Sequence, residues 1–224
     1  MGIVSRLWKA DWHLSFLLGM LLVSVFVLYP ISNRAWIGIL LESSLSLMLI
    51  SGVALVARRP AARVFTTILA LGTAAIGWVR LYAPSQRLTV IGVAMWIVFF
   101  ALLAAVILIR VFHEGRINVH RIQGAVAAYL LLGLIWSGCY RLVMEIDPEA
   151  FSPAAVGDEG TLMSRLVYFS FATLTTVGYG DVTAVATAAR SLALLEALTG
   201  QLFPAVLIAR LVSMEVSHPK HQSD

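Results

Sequence analysis

The run Thr175-Thr176-Val177-Gly178-Tyr179-Gly180-Asp181 is a polar, glycine-punctuated interruption between two apolar segments. Its residue types suit the coordination of a bare cation by backbone oxygens. An ion stripped of water needs its hydration shell replaced, and successive carbonyls aimed at one axis are the densest oxygen source a chain offers. Consecutive carbonyls point the same way only if residues alternate between right- and left-handed dihedrals. Gly178 and Gly180 tolerate positive φ without steric cost. Thr176 can add a hydroxyl, while Val177 and Tyr179 direct their side chains into the protein and brace the loop. A bare G-x-G is most often a turn. Here a short apolar segment precedes the motif and a long apolar helix follows it, which sets it apart.

The stretch Thr176 to Gly180 resembles the selectivity filter of potassium channels. The resemblance implies that Thr176, Val177, Gly178, Tyr179 and Gly180 bind the permeant ion, with K+ sites at the first four. Thr175, Asp181 and Tyr168 would support the filter; Glu196, expected to support it from behind the pore helix, is itself a departure, unusual so deep in an inner helix. Tyr168 and Phe169 fall at the paired-aromatic position of the family's pore helix. Gly200 falls where the family keeps a hinge glycine, and matching by position turns Gln201, Pro204 and Ile208 toward the conduction axis. One chain supplies one quarter of such a ring, so a homotetramer is expected. The implied activity is passive, potassium-selective conduction, with no enzymatic chemistry and no cofactor besides permeant K+. The resemblance covers residues 122–213 and extends to the rest only as a number of spans. It departs at Ala184, where family members commonly have proline. Two other readings are a regulatory or sensory membrane subunit with a vestigial pore and a potassium-uptake transporter subunit. The intact filter weighs against the first. Transporters usually carry four degenerate filter loops in one chain, which weighs against the second.

Positioning such a loop requires a bilayer. Of the 224 residues 60% are hydrophobic and 12% charged, with a mean hydropathy of +0.89, which excludes an ordinary soluble domain and predicts an all-α, multi-pass protein of the plasma or inner membrane. The net charge of +4 does not indicate nucleic acid. Cys139 is the lone cysteine, so no intrachain disulfide forms. No cleavable signal pattern is evident in residues 1–13, which read as a cytoplasmic or interfacial lead-in.

Apolar stretches of spanning length predict six helices with a re-entrant pore loop between the fifth and sixth, arranged with four-fold symmetry. A peripheral four-helix unit occupies 14–109, with spans near 14–30, 36–57, 63–83 and 88–109. A cytoplasmic interfacial linker follows at 110–121. The pore domain, 122–213, comprises an outer helix 122–144, a turret 145–163, a pore helix 164–174, the filter 175–181 and an inner helix 188–213. The tail 214–224 is too short for a folded ligand-binding module. Lys and Arg favour cytoplasmic loops. With both termini inside, that side receives Arg6, Lys9, Arg58, Arg59, Arg63, Arg110, Arg116, Arg121, Arg210 and Lys220, and the outside only Arg34, Arg80, Arg87, Arg141, Arg165 and Arg190.

The fourth span lacks the repeated arginines of a voltage sensor, since no charged residue falls between Leu88 and Ile109. Glu42 and Arg80 lie about 9 Å and 5 Å inside the outer ends of their spans at 1.5 Å per residue, and an ion pair between them is expected. In the linker, His113 and His120 could titrate near neutral pH. Gly124, Gly133, Ser137 and Gly138 on the outer helix permit close helix approach. Glu145, Asp147, Glu149, Asp158, Glu159 and Asp181 would concentrate cations at a pore mouth. Glu196 is expected behind the pore helix, hydrogen-bonded to Ser170 or Thr173. Gly200 needs a bend or close packing to offset its helical cost, and Pro204 one turn later predicts a kink. A separate regulatory partner is left open, and the gating stimulus is not readable.

Overall fold

The computed structural model describes residues 4–31, 35–56, 60–113, 119–152 and 159–216. Seven α-helices dominate them. Helix α1 (Val4–Val23) continues into a π-helical turn, Ser24–Leu28, and α2 (Ala35–Val56), α3 (Pro60–Tyr82) and α4 (Gln86–Val111) complete the peripheral unit. The outer helix α5 (Val119–Ile146), the short helix α6 (Glu159–Leu174) and the inner helix α7 (Thr187–Val216) form the second half. Among the described residues, five helices are long and apolar enough to cross a membrane, namely α2, α3, α4, α5 and α7; the first apolar stretch, Trp12–Leu28, is shorter.

The spans expected from hydropathy are all helical, with ends displaced by a few residues. The outer helix is longer than 122–144 and the inner helix longer than 188–213. The pore helix starts at Glu159, not Ser164, because a carboxylate suits a helix amino end and one glycine costs only about 1 kcal/mol. The interfacial helix expected over 110–121 is corrected at both ends: residues 110–111 belong to α4 and 119–121 to α5. Residues 114–118 lie outside the described residues, as do 153–158 of the turret and 217–224 of the tail. Strands β1 (Phe151–Ser152) and β2 (Thr183–Ala184) add an antiparallel pair that the all-α expectation omitted, with Phe151 opposite Ala184.

The largest apolar core lies between α4 and α5, where Phe99, Phe100, Leu103, Leu131 and Leu134 are almost fully buried. Small residues make that approach possible, as a Cβ on Gly138 would lie 2.7 Å from the Trp96 ring. The predicted Glu42–Arg80 pair is present, Oε1 to Nη2 3.7 Å. A second core under α6 joins Tyr140, Phe151 and Phe169, whose rings meet edge to face with centroids 5.1–5.5 Å apart.

Candidate functional site

Helix α6 has 16 residues, about 24 Å, too short to cross a hydrocarbon core of about 30 Å. It ends inside the fold at Leu174, which is fully buried. The chain then doubles back upon the helix end. The N–H groups of Thr175 and Thr176 donate to the carbonyls of Phe171 and Thr173, and those of Val177 and Gly178 both donate to Ala172. The Thr175 hydroxyl also donates to Phe171, at 2.6 Å. These bonds satisfy the last carbonyls of α6, which a helix leaves unpaired. With the N–H groups of Thr175 to Gly178 turned inward, no backbone hydrogen bond outside helices and strands among the described residues ends on a carbonyl of Thr176 to Gly180.

Backbone dihedrals set the carbonyl direction. Thr176, Gly178 and Gly180 have φ of 61°, 56° and 80°, the positive values falling on alternate residues. The two glycines behave as the sequence predicts. Thr176 does not, because a β-branched residue disfavours this region and nothing local announces the departure. Val177 and Tyr179 are 52% and 72% exposed in the single chain.

Tyr168 and Asp181 meet at this loop, and Glu196 lies behind the helix that precedes it. Tyr168 stacks on Tyr179, with centroids 6.2 Å apart and planes 7° from parallel, and its hydroxyl hydrogen-bonds Asp181. Asp181 also accepts from the Val182 N–H at 3.1 Å. Glu196 is fully buried behind α6, where Oε1 lies 2.5 Å from the Ser170 hydroxyl and Oε2 accepts from the Tyr140 hydroxyl at 2.5 Å. Ser170, not Thr173, is the partner. Tyr140 was not legible in this role, since only its polar tip in an apolar span hinted at a partner. The Ser170 hydroxyl also reaches the Gly133 carbonyl at 2.7 Å. The Ser170 hydroxyl is thus within donating distance of two acceptors, Glu196 Oε1 and the Gly133 carbonyl.

Gly200 meets the same helix end from the other side. A Cβ there would lie 1.8 Å from the Leu174 carbonyl oxygen. That oxygen also accepts from the Tyr129 hydroxyl at 3.0 Å. Of the two roles expected for Gly200, close packing is therefore present, and α7 is helical without a break across Pro204. Gln201 and Ile208 are exposed on the single chain and Pro204 half-buried. The acidic mouth is partly corrected: Glu145 is bound to Arg141, one turn earlier, and is mostly buried. The side chains of Asp158 and Glu159 lie outside the described residues.

A family model described as ion channel matches residues 127–217, from α5 to just beyond α7. A curated relative, Protein LctB from Bacillus caldotenax, is 32% identical over 125 residues, which cover 51% of this chain and 92% of that protein. The chain belongs to the ion channel family. A second Protein LctB, from Geobacillus stearothermophilus, is 36% identical to the channel over 86 residues, 37% of this chain and 62% of that protein. No solved structure matches the channel. With several apolar helices and an ion channel domain, it is a multi-pass membrane protein. The loop at Thr176 to Gly180 lies within the matched segment, and the four peripheral helices lie before it.

Proposed function

We propose that this channel conducts potassium selectively and passively through a homotetrameric pore, with K+ as permeant ion and no enzymatic role. The observation that carries the reading is the alternation of positive φ at Thr176, Gly178 and Gly180 in a loop whose N–H groups bond back to the pore helix. In that arrangement the carbonyls of Thr176 to Tyr179 face a common axis and replace the hydration shell. The carboxyl end of α6 aims the negative end of its dipole at the same place. Four copies close the ring. Support for assembly comes from α7, which leaves Leu194, Leu198, Leu202 and Val206 more than half exposed on the single chain.

The first apolar stretch with its π-helical turn serves as a sixth span, which places both termini in the cytoplasm of a plasma or inner membrane. Gating is an inner-helix movement about Gly200 and Pro204, with Gln201 and Ile208 toward the cavity. Because Gly200 packs on Leu174, such movement is felt directly at the base of the filter. Single-channel recording of purified protein in bilayers tests the reading. Unitary potassium currents with sodium excluded are expected, and equal permeability to the two ions would overturn potassium selectivity.

A further inference from the structure

Ion conduction leaves unused a mostly apolar cavity, with several polar and charged groups in its wall, where the peripheral unit meets the pore. Its volume is about 170 Å³ and its wall includes Tyr29, Glu42, Arg80, Trp96, Arg141 and Met163, contributed by six different segments. Such groups are costly at membrane depth and by default mark function. Gly77 makes room for the Glu42 carboxylate in this wall, since a Cβ there would lie 2.2 Å from Oε2. Tyr29 follows the π-helical turn Ser24–Leu28, a feature found disproportionately at functional sites.

The charged members of the wall are two guanidiniums and one carboxylate, and each guanidinium already faces a carboxylate, so the wall is close to neutral and its donors act by hydrogen bonding. Arg80 faces Glu42 at 3.7 Å, and Arg141 pairs with Glu145, which does not line the cavity. Trp96 is 7% exposed, and its indole N–H has no hydrogen-bond partner among the described residues. A buried donor of this kind calls for an acceptor. The volume is below the 300–1,000 Å³ or so typical of whole small-molecule sites. It suits a small oxyanion or the polar head of an amphiphile.

We propose that this cavity binds an oxyanion, phosphate or carboxylate, with Arg80, Arg141 and the Trp96 N–H as donors. The anion is either the head of a membrane amphiphile or a free ion. The site shares its wall with the pore. Met163 lies on α6, and Arg141 is the neighbour of Tyr140, which holds Glu196.

The test is binding by the full-length protein, independent of whether it conducts potassium. Native mass spectrometry in micelles would compare phosphatidylglycerol, phosphatidylcholine and inorganic phosphate. Phosphatidylglycerol is expected to be retained over phosphatidylcholine, and Arg80→Gln and Trp96→Phe each to weaken it about tenfold. Trp96→Phe retains an aromatic ring beside Phe100 and carries the test if Arg80→Gln fails to fold. Displacement by inorganic phosphate, with the same sensitivity to both variants, would identify a free anion as the source and sustain the proposal. Equal retention of both lipids without phosphate binding, or unchanged affinities in folded Trp96→Phe, would overturn it.

Discussion

At Gly178 the backbone is left-handed while the space around its Cα is open in the single chain, so a side chain there is opposed by φ alone. Alanine at that position costs about 1–2 kcal/mol of backbone strain, enough to redirect the carbonyl while the helices stay folded. Gly178→Ala is therefore expected to abolish potassium current and leave assembly largely intact; parental selective conduction by the mutant would defeat the filter assignment. Glu196 gives a second prediction. Glutamine can donate to Ser170 and accept from Tyr140, so Glu196→Gln should fold and conduct nearly as the parent does. Glu196→Ala takes the acceptor from the Tyr140 hydroxyl, at about 1–3 kcal/mol for a group left unsatisfied, while Ser170 keeps the Gly133 carbonyl, and should lower thermal stability and filter occupancy. Equal melting temperatures for the two variants would contradict the network. The glycines were legible because a chain-local rule governs them, whereas Ser170, 26 residues from Glu196, was one of two candidates. Thr176 and Tyr140 were not legible, since the strain of one is imposed by its flanking loop and the partner of the other lies 56 residues away.

Helix α6 is held at its carboxyl end by two elements, α5 through the Tyr129 hydroxyl and α7 through the bare Cα of Gly200. The contact at Gly200 is against backbone, which cannot swing aside as a flexible side chain would. Gly200→Ala should therefore cost at least the 1–3 kcal/mol or so typical of overpacking and displace Leu174 with the loop beyond it. Tyr129→Phe removes one membrane hydrogen bond, about 0.6 kcal/mol on average. The alanine variant should thus lose far more thermal stability and current than the phenylalanine variant, a ranking that detergent melting curves and potassium flux can check. A Gly200→Ala channel as stable as the parent would show that the close contact is dispensable. Helix identity was plain from hydropathy, whereas helix ends were not. The ends of α5 and α6 run on through Ile146 and from Glu159 into polar sequence, where composition resembles a loop. The β1–β2 pair was equally hidden, because two-residue strands carry no periodicity.

The whole molecule exposes apolar surface along α7 and at Val177 and Tyr179 that a single chain cannot cover, and mass photometry in detergent should find four subunits; a monodisperse conducting dimer would exclude the four-fold ring. At this scale the sequence conveyed the pore and said little of the peripheral unit, because hydropathy reports which segments enter the membrane and not which faces meet. The charges of that unit bear on gating. Steep voltage dependence needs several arginines moving through the field, since one charge crossing 100 mV supplies only about 2.3 kcal/mol. Between Arg87 and Arg110, α4 carries none, and Arg110 donates to the Leu55 carbonyl. The charges deeper in neighbouring helices come as pairs, Glu42 with Arg80 and Arg141 with Glu145. A pair that moves together transfers no net charge. Open probability in symmetrical potassium should consequently change little from about −100 to +100 mV, a range worth only some 4–5 kcal/mol per charge. A slope equivalent to several gating charges would mean that these pairs separate as the channel opens.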